Sequence, residues 1–304
     1  MLVGQEEIMI KKISKMTMVM LLMGSILACG LMACQTNGTE KETKYGDWSV
    51  DWNGLKKPPE NNTPSANEPS APSEGEQEGN APLEEQPTVA PVTYTAMIKS
   101  NTNSLNVRTS PSTSGKVIGS LDKGDMVRYE GLQNGWYKTV YKQQTAYIYA
   151  GNNFASVTYM KQGSEKVESV IAVGEELLGY PYVWGSQRYH WGNGALNTNF
   201  VQGQYDCSAL MQYIFYKGAG ALMDLNTRTQ VLQGQKVELA NLQRGDVMFF
   251  TNDSRYGYSG TERVGHVALY LGDNYILHTA SDHAVIEEIS PKRWSYFIVA
   301  KRFV

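Results

Sequence analysis

The sequence is short of the residues that usually announce a chemistry. It holds three cysteines and four histidines in 304 residues. Neither type recurs at the paired spacing of a zinc site, with no CxxC and no HExxH. A disulfide framework is excluded as well, because Cys29 and Cys34 fall in one apolar N-terminal run and leave Cys207 alone. Charge of one sign is scarce: the net value is −3, and no Lys/Arg cluster follows the early "KKISK", which argues against nucleic acid as a partner. Long apolar runs are absent except for "MTMVMLLMGSILACGLMAC", directly after that basic segment.

A charged start followed by such a run has the layout of an export signal. Met16 to Cys34 is also just long enough to span a bilayer, at about 20 residues, so a single transmembrane anchor is the competing reading. The end of the run separates them: Leu31 and Ala33 precede Cys34, and polar "QTNGTE" follows at once. This ending resembles the lipobox of bacterial lipoproteins. The resemblance implies a signal over residues 1–34, lipid on Cys34, and attachment to the cytoplasmic membrane on its outer side, facing the cell wall. Cys29, behind Ile26, Leu27 and Ala28, is a second possible lipidation site, with more apolar chain left after it.

Residues 35–92 are expected to be a disordered tether. From residue 56 they are rich in Pro, Glu, Asn and Ser and nearly empty of large apolar side chains, too little to bury for a fold. As a coil that stretch averages about 35 Å end to end. Over residues 93–158 the pattern changes to short alternating runs broken by turn residues, the signature of a small all-β barrel. The phrases "LNVRTSPS", "GDMV", "NGWYKTVY" and "AYIY" resemble the bacterial SH3-like domain, with Ala146 where glycine is usual. Such modules bind the wall or only shape a neighbouring cleft, and both options stand. From residue 164 to 304 the order is helix, loop, helix and then consecutive strands, which predicts an α+β domain with an antiparallel sheet. Its first helix is capped by Ser164 and ended by Gly179.

The stretch "YDCSALMQYIF" carries the unpaired thiol. Asp206 suits a helix N-cap, so Cys207 lies in the first turn while Leu210, Met211, Ile214 and Phe215 face the core. The helix dipole and a neighbouring imidazolium are expected to lower its pKa. Of the histidines, His266 and His278 flank one candidate hairpin. If Gly272, Asp273 and Asn274 form a three-residue loop, Ala268 pairs with His278 and His266 with Ala280, which makes the two histidines diagonal neighbours on one face. A two-residue loop would put them on opposite faces. One cysteine and two histidines could instead hold zinc, but without a spaced ligand pair a nucleophile with base and orienter fits better, and no metal or other cofactor is expected.

The phrases "PYVWG", "YDCSA", "TRTQVLQGQKV", "LQRGDVMFF" and "GHVALYLGDNYILHT" occur in the order that resembles the NlpC-type cell-wall cysteine peptidases, which have a papain-like fold. The resemblance implies Cys207 as nucleophile, His266 as base and His278 as third member, with Tyr182 at the oxyanion and Asp206 and Ser208 touching substrate. It also implies a peptidoglycan hydrolase acting on stem peptides, at the bond between γ-D-glutamate and the following diamino acid, and a monomer. A wall amidase, a transpeptidase and a non-catalytic wall-binding lipoprotein remain alternatives. The family's "PRTS" reads "DLNT" here, so an arginine is missing, and Thr227 and Arg228 are the remaining polar candidates for substrate contact. The segment between Gly185 and Tyr205 is longer than usual. His190 and His283 stand outside the pattern and are expected at the surface.

Overall fold

The structure, a computed structural model, describes residues 91–280 and 282–304; the leader, Cys29, Cys34 and most of the tether lie outside them. The first eight strands are β1 (Tyr94–Ser100), β2 (Leu105–Arg108), β3 (Val117–Leu121), β4 (Met126–Arg128), β5 (Gly131–Gln133), β6 (Trp136–Tyr141), β7 (Gln144–Tyr149) and β8 (Ala155–Lys161). Five of them form a sheet in the order β3-β2-β7-β6-β5. Their alternation is that of a half-buried surface: Leu105 and Val107 point inward, and Asn106 between them points out.

Next come α1 (Glu165–Glu176), α2 (Cys207–Ala219), a single turn α3 (Thr227–Gln230) and β9 (Gln235–Val237). The chain then runs through β10 (Val247–Phe250), β11 (His266–Gly272), β12 (Tyr275–Ala280), β13 (His283–Glu288), α4 (Pro291–Ser295) and β14 (Phe297–Arg302). One antiparallel sheet of nine strands takes the order β8-β1-β4-β13-β12-β11-β10-β14-β9, so three barrel strands continue the sheet of the following domain. The seam is a single pair, Ile286 on β13 against Met126 on β4. The fold is therefore α+β behind a small β module.

Helix α1 starts where the Ser164 hydroxyl accepts the Val167 amide at 3.3 Å. Its far end meets the barrel. The β6–β7 hairpin turns through Lys142 and Gln143, both at positive φ (52° and 55°), a conformation that Asn and Gly adopt more easily. What holds it there is the helix end: the Lys142 amide donates to the Leu178 carbonyl at 3.0 Å and Gln143 to Glu176 at 2.8 Å. Carbonyls that the helix terminus leaves unpaired thus find donors in the neighbouring module. Gly179, at φ +85°, lets Tyr141 lie against the backbone, for a Cβ there would sit 2.1 Å from the ring.

Helix α2 is buried from Cys207 through Phe215. Leu210, Ile214 and Phe215 have no exposed surface, and side chains of this kind contribute about 1.5–3 kcal/mol each by burial. The β11–β12 hairpin corrects one expectation. Its turn has two residues, Asp273 and Asn274 (φ 48° and 67°), closed by Gly272 against Tyr275. By itself such a turn would reverse the face of every residue on one strand. A register shift between Tyr270 and Gly272 restores the parity, and Leu269 still pairs with Leu277.

Candidate active site

Cys207 is the first residue of α2, behind Asp206, whose carboxylate accepts the Ala209 amide at 2.8 Å. The thiol is 6% exposed. Burial pushes its pKa up to about 12, with the Asp206 charge adding to the rise; the amides of Val267 and Ser208 and the Arg188 charge pull the other way without winning. The expected lowering by the helix end is therefore outweighed. Desolvation of a buried thiolate outweighs the dipole and the available hydrogen bonds.

His266 stands at the start of β11, and His278 on β12. His266 Nε2 and His278 Nδ1 are 2.9 Å apart, with the rings edge to face. Burial first, then the His278 and Arg293 charges, holds His266 well below its ordinary pKa, so it rests as a neutral imidazole. His278 is likewise lowered, by burial above all and against its bond to Glu287. That bond joins His278 Nε2 to Glu287 Oε1 at 2.9 Å, and Arg293 Nη2 lies 3.4 Å from the same oxygen.

A cleft of about 560 Å³ opens over these groups. Tyr182, Cys207, Thr251, Gly265 and His266 line one part, and Asp253, Lys292, Arg293 and Tyr296 another. The Tyr182 phenol stays protonated, its pKa raised to about 12 by burial and by the Cys207 and Asp206 charges, and so remains a hydrogen-bond donor. Asp206 and Ser208 are absent from this lining. Both are buried, and Arg188 covers them: its Nη2 lies 3.0 Å from Asp206 Oδ2 and 3.0 Å from Ser208 Oγ, while its Nε donates to the Leu225 carbonyl. The long insert thus delivers a guanidinium beside the segment that lacks the expected arginine. Thr227 is buried, donating to the Val264 carbonyl at 3.3 Å, and Arg228 pairs with Glu262 at 3.4 Å; neither reaches the cleft.

The two remaining histidines also depart from expectation. His190 is fully buried beside Tyr216, because the insert folds back on α2 as an aromatic cluster with Tyr189, Phe200 and Tyr213. His283 is half-buried at the start of β13, bonded to Asp282 at 2.8 Å. Sequence reading missed Arg188, Glu287 and Arg293. Glu287 would have been found from the third strand's register, which sets Val285 opposite His278 and so brings Glu287 to the same face. Nothing in the linear pattern sent Arg188 back to the helix.

Among the described residues no group of three or more His, Cys, Asp or Glu converges as metal ligands. The arrangement is suited to moving a proton from a thiol to an imidazole beside a bound carbonyl. Residues 179–302 match the NlpC/P60 family, and residues 103–152 match the bacterial SH3 domain. The chain carries an NlpC/P60 domain. The chain is 32% identical over 133 residues to the peptidoglycan endopeptidase RipA of Mycolicibacterium smegmatis, covering 44% of this chain and 24% of that protein. It is 33% identical over 129 residues to RipB of Mycobacterium tuberculosis (42% and 49%). It is also 30% identical over 122 residues to the gamma-D-glutamyl-L-lysine dipeptidyl-peptidase of Bacillus cereus (40% and 31%). The chain spans less than half the length of these curated relatives. Among solved structures, an NlpC/P60 family protein from Bacillus cereus aligns over 69% of this chain and 63% of its own, at 22% identity and a TM-score of 0.36.

Proposed function

We propose that this chain is a cysteine endopeptidase that hydrolyses peptidoglycan stem peptides, at the bond between γ-D-glutamate and the following diamino acid. The observation that carries the reading is one thiol at a helix start, in a cleft shared with an imidazole that a second imidazole holds at 2.9 Å. The names of the relatives supply the substrate class.

In the reaction the neutral His266 ring takes the Cys207 proton as Sγ attacks the carbonyl, and His278 steadies the ring as it becomes charged. The tetrahedral oxyanion accepts from the Tyr182 hydroxyl and from amides at the start of α2. The imidazolium returns its proton to the departing amine, leaving a thioester that water hydrolyses with His266 again as base. Because burial keeps the resting thiol protonated, the thiolate forms during attack rather than beforehand. Tethering through lipid on Cys34 would hold the enzyme on the outer side of the cytoplasmic membrane, within reach of the wall.

Digestion of purified muropeptides, with the fragments identified by mass spectrometry, tests the assignment. Cleavage at the γ-D-glutamyl bond by the wild type, and none by Cys207→Ala, is expected. Equal lysis by the variant would remove Cys207 as nucleophile, release of the whole stem peptide from the glycan would make the chain an amidase, and exchanged peptide ends would make it a transpeptidase. For the anchor, the wild type should take up labelled fatty acid in growing cells and Cys34→Ser should not; equal labelling of the two would overturn it.

A further inference from the structure

Beyond the three residues of that mechanism, the contacts continue outward along one line. A carboxylate only accepts hydrogen bonds, so Glu287 at 2.9 Å requires the proton of His278 on Nε2. A neutral His278 protonated on Nε2 has a lone pair on Nδ1. His266 Nε2, 2.9 Å from that lone pair, must then be the donor. With its proton on Nε2, His266 has Nδ1 unprotonated, as a general base requires. We infer that Glu287 is a positioning residue that dictates the tautomer of both imidazoles and leaves His266 Nδ1 free to take the thiol proton. The inference rests on the proposed cysteine chemistry.

Three further features support it. Arg293 Nη2 at 3.4 Å keeps Glu287 in the charged form, and although burial opposes that charge, His278 and Arg293 together hold its pKa below the ordinary value. Glu287 is also fixed from behind. Its strand neighbour Ile286 pairs with Met126 of β4, so the small β module backs the strand that carries the carboxylate. Finally, the adjacent Glu288 points elsewhere, bonding the Asn274 amide at 3.0 Å in an exposed position. Two carboxylates side by side on β13 therefore have different consequences. The charged or titratable groups facing Glu287 are His278 from β12, Arg293 from α4 and Asp125 from the turn before β4, with His283 acting on His278 and Asp125.

Glu287→Gln keeps the shape and removes the obligation, since an amide can accept from His278 Nε2 or donate to it. The donating orientation reverses both rings and puts a proton on His266 Nδ1. In the full-length protein, kcat on muropeptides should fall at least about tenfold with KM unchanged, as supporting partners of a reacting group commonly cost. The acid midpoint for alkylation at Cys207, followed by peptide mass spectrometry, should move to lower pH, because a His266 imidazolium without the distant carboxylate gives up its proton more readily. Glu288→Gln removes the same formal charge and should do neither. A Glu287→Gln protein indistinguishable from wild type, or a Glu288→Gln protein with the same shift, overturns the inference. Nitrogen NMR of isotope-labelled histidine in the unaltered protein checks it without any substitution: Nε2–H on both rings is expected, and Nδ1–H on His266 overturns it. These readouts separate from failure of the catalytic reading, which would appear as hydrolysis surviving in Cys207→Ala.

Discussion

His278 on the sheet and His190 in the long insert are almost equally buried, at 1% and 0% exposure, yet they are opposite kinds of residue. Both rings are pushed toward neutrality by burial. Both nitrogens of His278 are engaged at 2.9 Å, one by another imidazole and one by a carboxylate. His190 accepts the Gly192 amide on Nδ1 at 3.0 Å, which puts its proton on Nε2, and Nε2 has no partner. Burial decides charge, and partners decide direction. Only a ring bonded on both nitrogens can pass a requirement on to its neighbour, so the insert histidine packs an aromatic cluster while the sheet histidine, in the proposed mechanism, orients a base.

The sharpest break of this contrast is His278→Leu, which removes both contacts but stays apolar and similar in size. Turnover of muropeptides should fall about a hundredfold or more, in keeping with the loss of an orienting group behind a base. Fluorescence-monitored unfolding should report a folded protein. Full activity in this variant would reduce His278 to packing. His190→Phe, by contrast, should leave hydrolysis at the wild-type rate, and any loss of activity beyond about twofold would place the insert in the chemistry. Its effect belongs to stability against acid. A histidine whose folded pKa lies below its unfolded value of about 6.5 contributes stability above that value, which is lost as pH falls through the window below it. Removing His190 should therefore make the denaturant midpoint of unfolding less steeply dependent on pH below about 6.5.

A smaller effect is expected at Glu175, the buried acid of the contact between α1 and the barrel. Burial raises its pKa from 4.5 to about 7, against the opposing charge of Arg128 3.4 Å away, and Oε1 has no partner. The sign is opposite to that of the histidine. A raised carboxyl contributes stability below its unfolded pKa, and this is lost as pH rises through about 7. Glu175→Gln should leave stability little changed at about pH 5 and raise it, on the order of 1 kcal/mol, above about pH 8. Denaturant melts at the two pH values check this, and a uniform change at both would contradict it.

The signals that single out the candidate residues in the sequence are local. An N-cap aspartate, a cysteine behind it and an apolar stripe need only the helix period to be read. The histidine pair needed a register, and the right register was reached with the wrong turn: two residues at the tip, not three, with one extra residue on the strand making up the difference. No local rule forecasts that compensation. The thiol's pKa failed for a related reason, since the helix dipole is written in the chain but the degree of burial is not. Asp206 and Ser208 stand outside the cleft lining because Arg188, about twenty positions upstream, folds over them.

By itself, then, the sequence determined which residue types stand at which ends of which elements: a thiol opening a helix, imidazoles on a hairpin, a β module ahead of an α+β domain. These follow from periodicity, capping and turn chemistry, which act over a few residues. The tertiary structure alone decided the third strand's register, which brings Glu287 to His278, and the barrel strand that pairs with its neighbour. It also decided the burial that keeps both the thiol and the imidazoles uncharged at rest. Proton position and desolvation depend on what lies within a few ångströms in space, and chain order does not specify that.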